Sequence, residues 1–357
     1  MKAWQIERLG GATAFNEVPM PEPRAGSVVV RIEASALMSY LKDYVDGKLP
    51  VYDPPEGWFT PGGNAVGTVH AVGRDVWHIH PGQRVFVSSH VVADECVSEP
   101  AQILQGVTAM GAPGKPLRQD WRDGTLAQYV LVPKLSVTPL DGLDGFDAAQ
   151  LAVLTRFAVP YGGLLRGRLT AGETLIVTGA TGAYGGAAIL LALALGAGCV
   201  VAAGRNQRKL ESITRAGGSR VVPVILSGDI DNDAERLRAA AGGGADIAFD
   251  MVGGARDPNA TLAALRALRR EGRLVLMGSM SVPLPISYMD VMMNSLEVIG
   301  QFMYPHDVYR KLVTLVRSGQ LDIRAIRPRT FLLDDIAKAM DAAAEASALE
   351  CAVVTPT

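Results

Sequence analysis

The residues with the clearest chemical content are Gly179 to Gly186, GATGAYGG. They follow an apolar run, Thr174 to Thr178 (TLIVT), and precede an Ala/Leu-rich run, Ala187 to Leu195. Glycines at a strand-to-helix corner permit a tight turn and let backbone N–H groups approach a pyrophosphate, while the helix N-terminus adds partial positive charge. A plain strand–turn–helix corner would use the same glycines. The correct flanks and the βα units that follow favour a dinucleotide site. Gly179, Thr181, Gly182, Ala183, Tyr184 and Gly185 are therefore candidate cofactor contacts. An NAD site ordinarily places an Asp or Glu on the ribose hydroxyls about 20 residues after the glycines. No acid occurs here from Gly179 through Leu210, and the second strand runs instead into Gly204, Arg205, Asn206, Gln207, Arg208 and Lys209. Arg205 can stack on adenine and pair with a 2′-phosphate, and Arg208 or Lys209 can add charge. A solvated basic start to a helix would look similar. The reading is NADP(H) in preference to NAD(H), with Gly204, Arg205, Asn206 and Lys209 as contacts.

Metal and thiol chemistry have little support. The three cysteines, Cys96, Cys199 and Cys351, show neither metal nor redox spacing. Their scarcity argues against a disulfide framework and for a reducing, cytoplasmic setting. His78 and His80 alternate beside Trp77, but solvated histidines before the Pro81-Gly82 turn are the simpler account. His70, His90 and His306 are isolated.

The elements that must position these groups fall into two kinds. As far as about Pro139 the chain is β-rich, with short β-branched runs at Val28 to Ile32, Gly67 to Val72, Arg84 to Val87 and Gln128 to Val132. The stretch from Val91 to Asp123 is polar and turn-rich, long for a connection, and reads as a protruding lobe. From Leu151 strands and helices alternate. Strands are expected at 174–178, 199–203, 221–225, 247–251, 274–277 and 298–302, with helices between them. A helix over 307–318, a short strand near Phe331, a helix over 334–346 and a last strand at 351–354 follow. That alternation predicts a parallel, doubly wound sheet.

The 357-residue chain exceeds what one core usually organises, so two domains are expected. It is 48% hydrophobic, and Lys+Arg 34 against Asp+Glu 36 leaves a formal net charge of -2. No electrostatic footprint for nucleic acid results. The N-terminus lacks the apolar core of a signal peptide, and Ala187 to Leu195 is too short to span a bilayer, so no membrane partner is expected.

With these residues in place, the chain resembles the medium-chain dehydrogenase/reductase superfamily, which includes zinc alcohol dehydrogenases and zinc-free quinone oxidoreductases. The likeness rests on MKAWQIERLG at the start, PGGNAVGTVHAVG (Pro61 to Gly73), PGQRVFV (Pro81 to Val87) and DGTLAQYVLVP (Asp123 to Pro133). The glycine turn, GGGADIAFDMVGG (Gly242 to Gly254) and EGRLVLMG (Glu271 to Gly278) complete it. The resemblance implies an α/β chain: a GroES-like β-rich catalytic domain over 1–154, with the lobe at 91–123, and a Rossmann domain over 155–303. A return to the catalytic domain over 304–357 follows, and the active site lies in the cleft.

The resemblance also shows what is missing. At the positions where zinc members keep Cys, a His-Glu pair and a Cys or Asp, this chain has Met38, Gly63 with Asn64, and Thr155. Zinc sites need Cys, His or carboxylate ligands, so none is expected here, and the lone Cys96 excludes the four-thiolate site of the family's lobe. Met38, Asn64 and Thr155 become substrate-pocket positions. Without a Lewis acid, a hydrogen-bond donor must serve the substrate oxygen. Tyr40 stands where zinc members keep the Ser/Thr of their proton relay, and Tyr44 near a tyrosine of the quinone oxidoreductases. Either phenol is a candidate donor; Ser39 and Lys42 are weaker ones.

Further positions carried over are Gly278, Ser279, Ile299 and Gln301 near the cofactor, with Asp250 as a structural or functional strand end. Tyr52, Trp58, Phe59, Phe157 and Met303 could wall the pocket or belong to the core. The expected activity is hydride transfer between NADP(H) and a small apolar alcohol, ketone or aldehyde, without zinc. The alternatives are quinone or enone reduction and a non-catalytic NADPH sensor. A homodimer or homotetramer is expected, through a β-like, Met-rich surface at Pro283 to Phe302.

Overall fold

The computed structural model describes residues 1–93 and 96–356. Its centre is a six-stranded, wholly parallel sheet. The strand order is Val221–Ile225, Cys199–Gly204, Thr174–Thr178, Ala245–Asp250, Leu268–Leu276, Glu297–Gly300. The first strand in sequence, Thr174–Thr178, thus lies mid-sheet, and the connections run away from it in both directions. A crevice opens at that switch point, beyond the strand ends. The helix that follows it, Ala183–Ala194, is apolar all round, and its residues from Gly185 to Leu193 are buried.

A second, seven-stranded sheet is built from both ends of the chain. Ser27–Ala36 pairs antiparallel with Ala65–Val72, Tyr129–Pro133 and the C-terminal strand Glu350–Thr355. The register of Val353 on Ala36 closes the return. Arg327–Leu332 pairs parallel with that last strand at the sheet edge. Ala34, Val66 and Phe86 of this sheet, Phe157 of helix Thr155–Arg166, and Val177 and Ile189 of the parallel-sheet region share one buried cluster. Helix Thr155–Arg166 thus packs between the two sheets within one continuous core.

The expected strands and helices appear within a few residues of their predicted ends, except that Leu268–Leu276 starts six residues early, in charged sequence (LRREG) that hides a strand. The lobe holds more order than its composition suggests. His90–Val92, Gln102–Leu104 and Thr108–Met110 form a three-stranded antiparallel sheet, backed by helix Gly111–Asp120. Three-residue strands are too short to display alternation, and a helix containing Pro113 and Pro116 is masked by its own composition. The Pro283–Phe302 surface is corrected in part. Tyr288–Met293 is a helix, and only Glu297–Gly300 is a strand. No helix among the described residues is long and apolar enough to cross a membrane.

Candidate active site

A cavity of about 590 Å³ opens where the two sheets meet. One wall comes from the β-rich part: Leu37, Met38, Ser39, Tyr40, Tyr52, Asn64 and Ser89. The other comes from Tyr184 and the ends of two parallel strands: Met251, Gly253, Gly254, Met277, Gly278 and Ser279. Thr155, Arg156 and Val159 of helix Thr155–Arg166 lie between. The size suits a small molecule, and the lining is mostly apolar with a few polar groups.

The turn beside it is shaped by glycine. Gly179 has φ +68°, and a Cβ there would stand 2.6 Å from the Met251 carbonyl oxygen. A Cβ on Gly185 would meet the Gly179 carbonyl oxygen at 2.1 Å. Helix Ala183–Ala194 begins at Gly182 with no side-chain cap, which leaves its first N–H groups for a phosphate. The arrangement fits a dinucleotide. Beyond the second strand, Arg205, Asn206, Gln207 and Arg208 line an open bowl. Arg205 is exposed, and no side-chain hydrogen bond or ion pair among the described residues restrains it. Asn206 caps helix Gln207–Gly217 by accepting from the Lys209 N–H at 3.0 Å. Lys209 itself is not a wall of the bowl, whereas Glu211 is, and it accepts from Gln207 at 2.9 Å. That carboxylate lay one residue beyond the acid-free stretch read from the sequence.

Met38, Asn64 and Thr155 do meet on the cavity wall. They present a thioether, an amide and a hydroxyl, and no thiolate, imidazole or carboxylate stands among them. Asn64 spends its whole hydrogen-bonding capacity on neighbours. Its Nδ2 donates to Thr155 Oγ1 (2.7 Å) and to the Tyr309 hydroxyl (2.9 Å), and its Oδ1 accepts from the Ser89 N–H (2.7 Å) and Ser89 Oγ (3.1 Å). The net extends through Tyr304 to Ser88, with the Tyr304 and Tyr309 hydroxyls 3.4 Å apart and the Ser88 and Tyr304 oxygens 3.1 Å apart. Among the described residues, no group of three or more His, Cys, Asp or Glu is placed to hold a metal ion.

The two candidate tyrosines part company. Tyr40 lines the cavity, with the Tyr52 ring 5.8 Å away. Burial pushes its phenol well above the ordinary value, reinforced by Tyr52 and Tyr184, so it keeps its proton at neutral pH. Tyr44 is corrected: it is wholly buried, is not a cavity wall, and its hydroxyl donates to the Val107 carbonyl at 2.6 Å. Helical spacing puts positions 40 and 44 on one side, but only the first faces the opening.

Other placements are mixed. Tyr184, Gly278 and Ser279 line the cavity, and the Ser279 hydroxyl accepts from the Gly254 N–H at 2.9 Å. Gln301 is not a wall of the cavity, and its amide donates to the Phe302 carbonyl at 2.8 Å. Ile299, Phe59 and Phe157 are core, and Trp58 is exposed outside the cavity, whereas Tyr52 and Met303 are walls. Asp250 is structural, accepting from Thr178 Oγ1 at 2.8 Å inside the fold. His78 and His80 are exposed in a turn. Arg156 went unnoticed, although a single charge in the apolar run AVLTRFAVPYGG is itself a signal.

Comparison with known proteins decides the family. Residues 24–142 match the alcohol dehydrogenase GroES-like domain, and residues 183–318 match the zinc-binding dehydrogenase model. A relative from Agrobacterium fabrum is 30% identical over 286 residues, covering 80% of this chain and 77% of its own. The chain belongs to the medium-chain dehydrogenase/reductase superfamily. An L-threonine 3-dehydrogenase of Anaeromyxobacter dehalogenans is 28% identical over 349 residues, covering 94% of this chain and 93% of its own. The alcohol dehydrogenase of Thermus sp. ATN1 shares the fold at a TM-score of 0.82 and 22% identity, with 100% of both chains covered. An NADP-bound structure from Sinorhizobium meliloti 1021 does so at 0.78 and 22%, with 99% of both covered. The chain is thus an oxidoreductase, similar along most of its length to L-threonine 3-dehydrogenase, alcohol dehydrogenase and sorbitol dehydrogenase relatives.

Proposed function

We propose that this chain is a zinc-independent, NADP(H)-dependent dehydrogenase that interconverts a small alcohol and its ketone or aldehyde. The observation that carries the reading is the Asn64 net. The positions that bind zinc elsewhere in the superfamily hold Met38, Gly63 with Asn64, and Thr155, and Asn64 and Thr155 are bonded to each other. That donor set does not fit zinc, which takes thiolate, imidazole or carboxylate. The Gly179 turn and the free Arg205 fit a 2′-phosphorylated dinucleotide, and the NADP in the Sinorhizobium meliloti structure is consistent with it.

The bound cofactor supplies or accepts the hydride. In the reducing direction the substrate carbonyl carbon gains that hydride and its oxygen gains a proton, so charge develops on oxygen. Tyr40, neutral and at the cavity wall, is placed to donate that proton and to recover one from solvent afterwards. Leu37, Met38, Leu49, Val51, Met277 and Met303 keep the surroundings apolar, which strengthens the donor's hold on the developing charge. Small alcohols and ketones suit this lining. The exposed Tyr288, Met289 and Met293 beside the edge strand Glu297–Gly300 support pairing of two copies, and the scattered cysteines support a cytoplasmic setting.

The test is oxidation of NADPH and NADH with parallel panels of methyl ketones, aldehydes, enones and quinones. Turnover of ketones or aldehydes with NADPH favoured supports the reading. Turnover confined to enones or quinones would move the chain to activated-alkene or quinone reduction, and an NADH preference would remove Arg205 as the selector.

A further inference from the structure

The cavity has one cationic wall residue, Arg156, with no carboxylate partner among the described residues. Arg156 is 1% exposed, yet its Nε and Nη2 have no hydrogen-bond partner. The Tyr184 ring lies 5.9 Å from its guanidinium carbon, and the buried Cys351 thiol is a weak hydrogen-bonding neighbour rather than a full counter-charge. The other charged wall residue, Asp43, is held by Lys48 at 3.3 Å. A guanidinium withdrawn from water without a counter-charge is costly, and a bound anion would offset that cost. The two unpartnered nitrogens lie along one edge of the guanidinium, the edge that takes a carboxylate through two parallel hydrogen bonds.

We infer that Arg156 anchors a substrate carboxylate, so the substrate is a hydroxy or oxo acid with an apolar body. This rests on the dehydrogenase reading above and adds the substrate's charged end. The cofactor's phosphates have their own cradle at Gly182 and their own cation in Arg205. Arg156 stands instead next to Thr155 on the helix between the two walls, and lines the same cavity as Met38 and Asn64. The apolar side chains of Leu37, Leu49 and Met303 accommodate the carbon chain, and Tyr40 meets the reacting oxygen.

The experiment pairs oxo acids of three to six carbons, 4-oxopentanoate among them, with the neutral methyl ketones of matching length. The ratio of kcat/KM for acid over ketone is measured in the wild type, Arg156→Lys and Arg156→Gln. Calorimetric titration of 4-oxopentanoate into each protein without cofactor, NADPH affinity and Tm are read alongside. The wild type is expected to favour the acids, with the ratio falling about 100-fold in Arg156→Gln and less in Arg156→Lys, which keeps charge but loses the fork. Equal preference for acids and ketones in the wild type would overturn the inference while leaving the dehydrogenase reading intact. Loss of NADPH affinity in Arg156→Gln with an unchanged ratio would also overturn it, since the arginine would then serve the cofactor. Binding heat that disappears in Arg156→Gln, with no carbonyl turnover in any protein, would uphold the carboxylate site and sink the reaction.

Discussion

Asn64→Leu removes the centre of the polar net without changing side-chain size much. The change leaves the Ser89 N–H without its acceptor, and takes the donor from Thr155 Oγ1 and the Tyr309 hydroxyl. Ser89, Thr155 and Tyr309 are all buried, so water from the cavity that the first two border replaces only part of what is lost. Each stranded group costs about 1 kcal/mol or more, giving a total of about 3 kcal/mol. Unfolding entropy of about 2.1 cal/mol/K per residue amounts to about 0.75 kcal/mol/K for 357 residues, so Tm should drop by about 4 °C. Asn64→Asp should cost less. Its carboxylate still accepts from Ser89, and both hydroxyls can turn to donate to it. Differential scanning calorimetry of the three proteins reads the series directly. A Tm within 1 °C of wild type for Asn64→Leu would refute the claim that the net occupies these positions as structure.

The same sites yield sharper functional tests. Arg205→Asp exchanges an attraction for a repulsion at the 2′-phosphate, and should shift the NADPH/NADH ratio of kcat/KM by about 100-fold toward NADH; an unchanged ratio removes Arg205 from the cofactor site. Tyr40→Phe should lower kcat by about 100-fold with little effect on NADPH affinity. Tyr44→Phe should cost stability, since it strands the Val107 carbonyl, with kcat nearly unchanged; the reverse pattern would make Tyr44 the donor. Burial holds the His90 imidazole below its ordinary value, against partial support from Gln102. The unfolded chain therefore takes up the proton first as pH falls below about 6.5, and stability declines there. Tm measured from pH 7.5 to 5.5 should fall less steeply in His90→Gln, and parallel curves would contradict this.

The parallel sheet was legible because each strand is a short apolar run bounded by turn residues and each helix differs from it in period. The glycine turn was legible for the same reason: its meaning lies in its flanks. The site was harder to read because it is assembled across the fold. Tyr40 and Tyr44 are equal on a helical wheel, and only the approach of Val107 separates them. Asn64, Thr155 and Tyr309 lie far apart in the chain, so their net is visible only when both sheets close on helix Thr155–Arg166. Glu211 sits one turn along a helix from Gln207, beyond the window in which an acid is ordinarily sought. Arg156 could have been noticed, since a lone cation in an apolar helix must meet something, but the sequence does not say what it faces.

The central claim is that carbonyl chemistry in this cavity proceeds without zinc. The direct measurement is NADPH-dependent carbonyl turnover by protein stripped of metal with a chelator, its zinc content determined by elemental analysis, before and after zinc is returned. Full turnover at negligible zinc content, unchanged by added zinc, is the expected result. Activity abolished by stripping and restored by one equivalent of zinc would contradict the account.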